Sequence, residues 1–422
     1  MKDTHKPSKG TVLSAMFLVG GSCIGGGMLA LPVATGINGF IPSLVVMSIC
    51  WVMMTISGLF LLEVSLWMEE GVHINTMTYR ILGNFGRWVS WVLYLFICYA
   101  SLVAYTAAGG VQLTYAFDFL FNFSLNKDIA CAIYILTFGL VLYLGSIVVG
   151  RVNAVLFIAM IVSYLALVGI GVDEIKPHLL TYKKWSGFYL AIPLMLAAFS
   201  YQTMVPSLTP YLKKDLKGLR WALIGGTSIA FIIYAVWQAL MLGIVPVEGS
   251  NGLAQALIEG EPATKFLNEH VNGEYVSTVA HFFAFFAVVT SFLGIGLGLF
   301  DFLSDGLKIK KAGIGNLILG LLIVIPVLIF ATQFERIFIV ALDSSGGYGD
   351  TILNGLIPVL MVWIGRYRMG YENGFRLPGG KILLGSVFLF FLCCLILEIL
   401  VHAGYLSSVY EAYQLVEHRT DI

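Results

Sequence analysis

Long apolar runs recur along the whole chain and are separated by short polar connections. Eleven of these runs are long enough for a helix to cross the hydrocarbon core of a bilayer, which takes about 20 residues. Numbered spans one to eleven, they cover about 11–35, 40–68, 88–117, 129–149, 152–172, 187–211, 219–245, 275–303, 313–332, 335–365 and 382–405. The pattern predicts an all-α integral membrane protein with eleven transmembrane helices.

Span one contains a run of glycines that interrupts its helix. The segment 20–32 reads Gly-Gly-Ser-Cys-Ile-Gly-Gly-Gly-Met-Leu-Ala-Leu-Pro. Each glycine costs a helix about 1 kcal/mol relative to alanine, and lipid offers no partner to a freed backbone group. Such a break is tolerated where its N–H groups line a polar cavity, and there the following half-helix can hold an anion. Close helix packing through small residues is the alternative interpretation.

Span six carries a second interruption. Ser200, Tyr201, Gln202 and Thr203 form a polar run at bilayer depth, and Pro206 follows. Proline removes a helix hydrogen bond and clashes with the preceding turn. Spans one and six each begin a set of five spans. Because five is odd, the second set enters the membrane from the opposite side. This predicts an inverted-repeat transporter whose binding site lies at the membrane midplane.

The predicted organisation is one transporter domain over residues 1–422. Repeat one covers about 11–172, repeat two about 187–365, and an additional helix about 382–405. Lys and Arg are concentrated in the connections on the same side of the membrane as the N-terminus. Because cytoplasmic connections carry an excess of these residues, we expect the N-terminus in the cytoplasm. After an odd number of spans, the C-terminus is then expected in the periplasm. The apolar length of span one favours a membrane helix over a cleavable signal peptide.

Several polar residues at membrane depth are candidates for ion coupling. The hydroxyls of Thr290 and Ser291 in span eight could complete a cation site, or they could bond back to their own helix. Glu63 in span two and Asp343 and Asp350 in span ten are carboxylates in apolar surroundings. Each could be structural or could carry a proton, because charged groups in membranes mark ion pathways.

Composition agrees with a membrane protein and excludes several other classes. The 422 residues are 59% hydrophobic and 11% charged, against about 25% charged in soluble proteins. The net charge of zero gives no reason to expect a nucleic-acid partner. The six cysteines lack metal-ligand spacing and are interpreted as packing residues. The sequence contains no Walker-type phosphate-binding loop and no convincing set of catalytic residues. Neither ATP-driven transport nor enzymatic activity is therefore expected.

Four stretches resemble the bacterial hydroxy and aromatic amino acid permeases of the amino acid–polyamine–cation superfamily. They are the sequences at 21–32 in span one, 61–64 in span two, and 290–294 and 298–301 in span eight. Asn38-Gly39-Phe40 and Leu219-Arg220-Trp221 also fit. The resemblance extends over nearly the whole chain and is closest to the tyrosine and tryptophan permease branch.

The resemblance implies a LeuT-type 5+5 inverted repeat with broken helices one and six. It places the substrate carboxylate on backbone N–H groups of Gly25, Gly26 and Gly27. It places the ammonium group on carbonyls of the second break, at Ala198, Phe199, Ser200 and Tyr201. A sodium site of this fold would use Gly21, Ile24, Ala287, Thr290 and Ser291. The family is described as proton-coupled, so H⁺ is the expected coupling ion and Na⁺ the alternative.

The sequence and the resemblance together give an expected function. It is a symporter without cofactors, embedded in the lipid of the bacterial inner membrane, that imports aromatic L-amino acids, tyrosine or tryptophan. Phe199 and Tyr201 are expected to contact the substrate ring, and Asp343 and Glu63 are the leading proton carriers. A sodium-coupled carrier, a serine/threonine-type carrier and a channel are the alternatives. A channel needs a continuous wet pore, whereas two half-helices meeting at one site favour alternating access.

Overall fold

The computed structural model describes residues 9–69, 72–249, 251–271, 274–334, 336–372, 375–408 and 411–412. Helices form this part of the chain, and no strand occurs within it. The α-helices are Lys9–Cys23, Gly27–Thr35, Phe40–Trp67, Ile74–Phe121, Lys127–Tyr143, Ser146–Gly171, Pro177–Thr181, Ile192–Ala198, Val205–Tyr211, Leu216–Ile244, Leu253–Glu259, Glu274–Leu307, Ile314–Gln333, Ile337–Ser344, Ile357–Tyr367 and Gly380–His402. Shorter 3₁₀ segments are Gly36–Asn38, Val172–Glu174, Phe188–Ala191, Gln202–Met204 and Ala263–Glu269, and a π-helix covers Ser345–Leu356.

Most predicted spans correspond to long apolar helices. Within the described residues, 9 helices are long and apolar enough to cross a membrane. A tenth span is the bent pair Thr11–Cys23 and Gly27–Asn38, whose two halves meet at 54°. The predicted span four corresponds to Lys127–Tyr143, which has only 17 residues. The all-α membrane fold is confirmed, and the count of eleven spans stays a prediction.

Several boundaries differ from the prediction because single glycines redirect the chain. Span three belongs to a helix that begins at Ile74, and Gly83, with φ 75°, separates a short first part from the membrane part. Spans four and five are divided by Gly145, whose φ of 94° favours glycine. Span five therefore begins at Ser146, before its predicted start.

Prolines inside three spans leave backbone carbonyls without their helical partner, and side chains from neighbouring spans replace it. Pro32 cannot donate to Met28 O, and Trp237 Nε1 donates to that carbonyl at 3.0 Å. Tyr99 donates to Leu322 O at 2.8 Å, which Pro326 leaves free. The Ser57 hydroxyl donates to Asn354 O in the same way, before Pro358. In a membrane such replacements hold kinked helices to their neighbours.

Span ten is unusual because its central part is the π-helix Ser345–Leu356. Its glycines allow close approach of two neighbouring spans. A Cβ added at Gly346 would lie 1.8 Å from Pro193 O of span six, and one at Gly347 would lie 2.3 Å from the carboxyl carbon of Glu398 in span eleven. Span ten is therefore wedged tightly between spans six and eleven. π-Helical turns occur frequently at functional sites.

The connection between spans seven and eight folds back over the protein. Its helical segments Leu253–Glu259 and Ala263–Glu269 pack against Gly27–Thr35, the second half of span one. The ion pair between Lys127 and Glu261, at 2.8 Å, links this connection to the start of span four. The connection thus covers one end of span one, and we call this side of the protein the loop face.

Candidate functional site

The breaks of spans one and six lie directly against each other. A Cβ added at Gly27 would lie 3.7 Å from the Cα of Ala198. The hydroxyl of Tyr234 in span seven lies 2.5 Å from Cys23 O and 2.8 Å from Ala198 O. These carbonyls belong to the last residues of the two first half-helices, which lack helical partners. One buried tyrosine therefore holds both broken ends together.

Spans three and eight form the wall around Gly25 and Gly26. The N–H of Gly26 donates to Ser291 Oγ at 3.2 Å. A Cβ at Gly25 would lie 1.8 Å from the same oxygen, and one at Gly26 would lie 2.6 Å from the ring of Tyr105. The break thus presents a backbone donor to a small oxygen acceptor in a space that admits no side chain at either glycine. A carboxylate oxygen could accept from this donor in place of the hydroxyl.

The two predicted aromatic contacts lie in different places. Phe199 is fully buried and packs edge-on against Tyr234, with ring centroids 5.1 Å apart, so it borders the junction of the breaks. The ring of Tyr201 is directed to span two instead. Its hydroxyl lies 3.4 Å from Met54 O, and a Cβ at Gly58 would lie 1.9 Å from it. Tyr105, whose ring lies against Gly26, borders the junction in place of Tyr201.

Ser200 connects the break of span six to a buried carboxylate. Its Oγ donates to Asp350 Oδ1 at 2.6 Å. Asn354 Nδ2 donates to Asp350 Oδ1 at 2.6 Å and to Ser200 Oγ at 3.0 Å. Asp350 is 1% exposed, and within the described chain its hydrogen-bond donors are neutral. The structure therefore places Asp350, rather than Asp343 or Glu63, beside the candidate site.

Glu63 is held in a buried ion pair. Arg366 donates through Nε to Oε1 at 2.6 Å and through Nη2 to Oε2 at 2.5 Å, and the N–H of Leu377 donates to Oε2 at 3.1 Å. Both charged side chains are at most 2% exposed. Arg366 lies in the last turn of span ten, so this ion pair joins the end of span ten to span two. Residues 1–8 and 413–422, which carry the predicted termini, lie outside the described residues.

Asp343 lies in a separate pocket near the loop face. Its carboxylate is grouped there with Glu398 and His402 of span eleven. The pocket is bordered by Pro193 and Leu196 of span six but not by the residues of the two breaks. Asp343 is thus apart from Gly25–Gly27 and from Ser200.

The sodium candidates are brought together only in part. Ala287 O would lie 3.8 Å from a Cβ at Gly25, so Ala287 and Ser291 both face the break. Thr290 Oγ1 donates back to Phe286 O at 2.9 Å and to Ala287 O at 3.1 Å. The sulfur of Met160 lies 3.9 Å from that hydroxyl. At Gly21 a Cβ would meet the ring of Phe157 at 3.1 Å, and the N–H of Ile24 donates to Gly20 O.

Sequence reasoning missed Tyr234, Trp237 and Asn354. A signal for the first two exists in span seven, where Tyr234, Trp237 and Gln238 share one helical face. All three donate to span one, since Gln238 Nε2 bonds Thr35 Oγ1 at 3.0 Å. Asn354 has no such signal, because its contact with Ser200 depends on the path of the π-helix.

Comparisons with known proteins agree with the fold and with the family resemblance. The model of the tryptophan/tyrosine permease family matches residues 8–399. The tryptophan-specific transport protein of Haemophilus influenzae is 28% identical over 417 residues, which cover 94% of this chain and 98% of the relative. The tyrosine-specific transport system 1 of the same organism is 28% identical, with 94% and 98% covered. The low affinity tryptophan permease of Escherichia coli is 27% identical, with 89% and 92% covered.

Among solved structures, MhsT in complex with L-phenylalanine is similar in fold. The TM-score is 0.65 at 15% sequence identity, and the match covers 94% of this chain and 98% of that chain. The match extends over nearly the whole of both chains, and the predicted LeuT-type architecture with broken helices one and six is confirmed. The relatives and the family are named as transport proteins, which confirms the expectation of a multi-pass membrane transporter rather than an enzyme.

Proposed function

The chain belongs to the tryptophan/tyrosine permease family, and from this we propose that it is a proton-driven symporter importing tryptophan or tyrosine across the bacterial inner membrane. The printed names of its relatives, tryptophan-specific and tyrosine-specific transport proteins, support that substrate class. In this proposal the N-terminus lies in the cytoplasm, the C-terminus in the periplasm, and the loop face is periplasmic.

The direct contact between the breaks of spans one and six supports an amino acid as the substrate. An α-amino acid has a carboxylate and an ammonium group on the same carbon atom, so its site needs donors and acceptors close together. Backbone N–H groups of Gly25, Gly26 and Gly27 supply donors at a half-helix N-terminus. Carbonyls of the break that follows Ala198 supply acceptors, and Gly27 and Ala198 are in contact. The zwitterionic end of the substrate fits across this junction.

Aromatic selectivity follows from the side chains that border the junction. Tyr105 and Phe199 present ring faces and edges within reach of the two breaks. Offset or edge-on contacts between aromatic rings contribute about 0.5–1.5 kcal/mol beyond burial of area. The substrate ring packs against Tyr105 and Phe199, while Tyr201, which packs on span two, supports the break from behind.

The proposed coupling ion is a proton, and the surroundings of Asp350 support this choice. A carboxylate buried in a membrane protein is costly without a cation partner. Glu63 already has Arg366 as its partner, but the described residues that bond Asp350 are the neutral Ser200 and Asn354. A proton on Asp350 supplies the missing cation and alters the hydrogen bond to Ser200. This assigns the proton to Asp350 in place of Asp343 and Glu63.

Sodium at the span-eight position receives less support from the geometry. The Thr290 hydroxyl donates to its own helix, and the thioether sulfur of Met160 in span five lies 3.9 Å from it. A hard cation prefers oxygen ligands, and a thioether is a soft ligand. Thr290 is therefore assigned to helix packing.

A competition assay tests the substrate class. Purified protein is reconstituted into liposomes, and uptake of radiolabelled tryptophan is measured in the presence of each unlabelled amino acid. We expect tryptophan, tyrosine and phenylalanine to displace label, and serine, threonine and leucine to leave uptake almost unchanged. Displacement by serine as strong as by tryptophan would instead support a serine/threonine-type carrier.

A further inference from the structure

Asp343, Glu398 and His402 meet in a pocket that the proposed transport site does not use. Asp343 lies in the first helical part of span ten, and Glu398 and His402 lie one turn apart near the end of span eleven. One ligand atom from each side chain lies within 4.8 Å of the others. The pocket has a volume of about 210 Å³ and reaches Leu257 and Arg336, at the loop face.

Glu398 has a carboxylate oxygen that lacks a hydrogen bond. The residue is 3% exposed, and its Oε1 has no hydrogen-bond partner within the described chain. A Cβ at Gly347 would lie 2.3 Å from the carboxyl carbon, so the backbone of span ten fixes the side chain from behind. A buried oxygen of this kind is energetically costly unless a ligand completes its hydrogen bonding or coordination. This oxygen is directed toward the other side chains of the cluster, since His402 Nδ1 lies 3.4 Å from it.

The chemistry of the three side chains indicates which ion they would bind. Two carboxylates and one imidazole combine hard oxygen donors with a nitrogen donor, a set that suits Zn²⁺ and similar transition metals better than Ca²⁺ or Mg²⁺. Arg336 also lines the pocket. We propose that Asp343, Glu398 and His402 form a binding site for one divalent transition-metal ion of the Zn²⁺ class.

The geometry needs only a small adjustment to hold such an ion. Zn²⁺ lies about 2.0–2.2 Å from its oxygen and nitrogen ligands, so the three atoms must draw closer together than their present spacing. The His402 side chain is 45% exposed, and its Nδ1 donates to the backbone carbonyl of Glu398 at 3.1 Å, so only this bond must yield when the ring moves toward the ion, whereas Glu398 is fixed by span ten. Water can occupy a remaining coordination position from the pocket, as in open zinc sites.

The site joins two spans, and this gives it a consequence for transport. A bound ion fixes span ten, through Asp343, to span eleven. Span ten also contains Asp350, whose contact with Ser200 is central to the proposed coupling. Metal binding is therefore expected to slow uptake, a consequence that rests on the proposed function. The binding itself does not depend on that function and is measured separately.

Isothermal titration calorimetry of the purified full-length protein in detergent, with ZnCl₂ as the probe, tests the site. We expect one ion per chain and an affinity that falls at least about tenfold in Glu398→Gln and in His402→Ala. Ca²⁺ should bind much more weakly than Zn²⁺. Glu248→Gln and His178→Ala, which alter exposed residues on the same face, serve as matched controls and should keep the wild-type affinity.

Thermal unfolding without metal establishes that each variant is folded, and Asp343→Asn replaces Glu398→Gln if the latter does not fold. The proposal is overturned if the wild-type protein binds no Zn²⁺. It is equally overturned if folded Glu398→Gln or Asp343→Asn binds Zn²⁺ as tightly as the wild-type protein. Equal affinity for Ca²⁺ and Zn²⁺ would contradict the role of His402.

Discussion

Ser200 in the break of span six donates a 2.6 Å hydrogen bond to Asp350 in the π-helix of span ten. The bond joins the segment proposed to hold the substrate ammonium group to a carboxylate that has no cationic partner among its described hydrogen-bond donors. An ion drives transport only if it changes the relative free energies of the substrate-bound states. Ser200 and Asp350 supply a direct route for such an effect.

Asp350→Asn should separate coupling from binding. The amide keeps the shape of the side chain and can bond Ser200, but it cannot take up a proton. We expect the variant to lose accumulation of tryptophan driven by a pH gradient and to retain exchange of internal for external tryptophan. Gradient-driven uptake and counterflow in proteoliposomes measure the two activities on the same preparation.

Thr290→Ala is the control for this experiment. Its hydroxyl donates to the carbonyls of its own helix, so its removal should leave both activities close to wild type. Accumulation by Asp350→Asn that follows the pH gradient as in the wild-type protein would show that another group carries the proton.

Gly25→Ala and Gly26→Val should abolish uptake. A Cβ at Gly25 would lie 1.8 Å from Ser291 Oγ, and one at Gly26 would lie 2.6 Å from the Tyr105 ring, so either change displaces the wall of the break. Gly294→Ala in span eight has no neighbour within 4 Å of the added Cβ and is the matched control. Uptake and surface expression are measured together. Wild-type uptake by inserted Gly25→Ala and Gly26→Val would remove the break from the substrate site.

Tyr234→Phe should weaken both stability and transport. It leaves the carbonyls of Cys23 and Ala198 without their shared donor, at a cost of about 1–3 kcal/mol for an unsatisfied buried group. Tyr99→Phe removes a single, more exposed bond to Leu322 O, away from the breaks. Both variants should unfold at lower temperature, but only Tyr234→Phe should raise the KM for tryptophan. Equal KM values for the two variants would contradict the role of Tyr234 at the junction.

Glu63→Gln should act on stability and leave coupling intact. It leaves Arg366 as a buried cation without its partner, a change that costs about 3–5 kcal/mol. The double variant Glu63→Gln with Arg366→Met should regain part of the loss in thermal unfolding. Folded Glu63→Gln should still accumulate substrate along a pH gradient. A stable Glu63→Gln protein that fails to accumulate substrate would restore Glu63 as a proton carrier.

The breaks could be predicted from the sequence because their signals are local. Gly25, Gly26 and Gly27 disrupt a helix whatever surrounds them, and the polar run at Ser200 followed by Pro206 does the same. The structure places both interruptions where the sequence predicts them. Their contact through Tyr234, by contrast, depends on how span seven packs, which local sequence does not specify.

The partners of the carboxylates could not be predicted in this way. Side-chain direction along an ordinary helix follows a period of about 3.6 residues. The π-helix Ser345–Leu356 departs from that period, so the sequence does not reveal how Asp350, which faces Ser200, is placed relative to Asp343, which lies in the preceding α-helix and faces span eleven. Arg366 falls just beyond the predicted end of span ten at about residue 365, so its position in the sequence does not reveal that it pairs with Glu63.

Tryptophan accumulation by wild-type protein in proteoliposomes, with either a proton or a sodium gradient imposed, distinguishes proton-driven from sodium-driven transport. We expect accumulation above the external concentration when an inward proton gradient is imposed in sodium-free buffer. That accumulation should be lost when an ionophore collapses the pH gradient. Accumulation that requires sodium and ignores the pH gradient would contradict proton coupling.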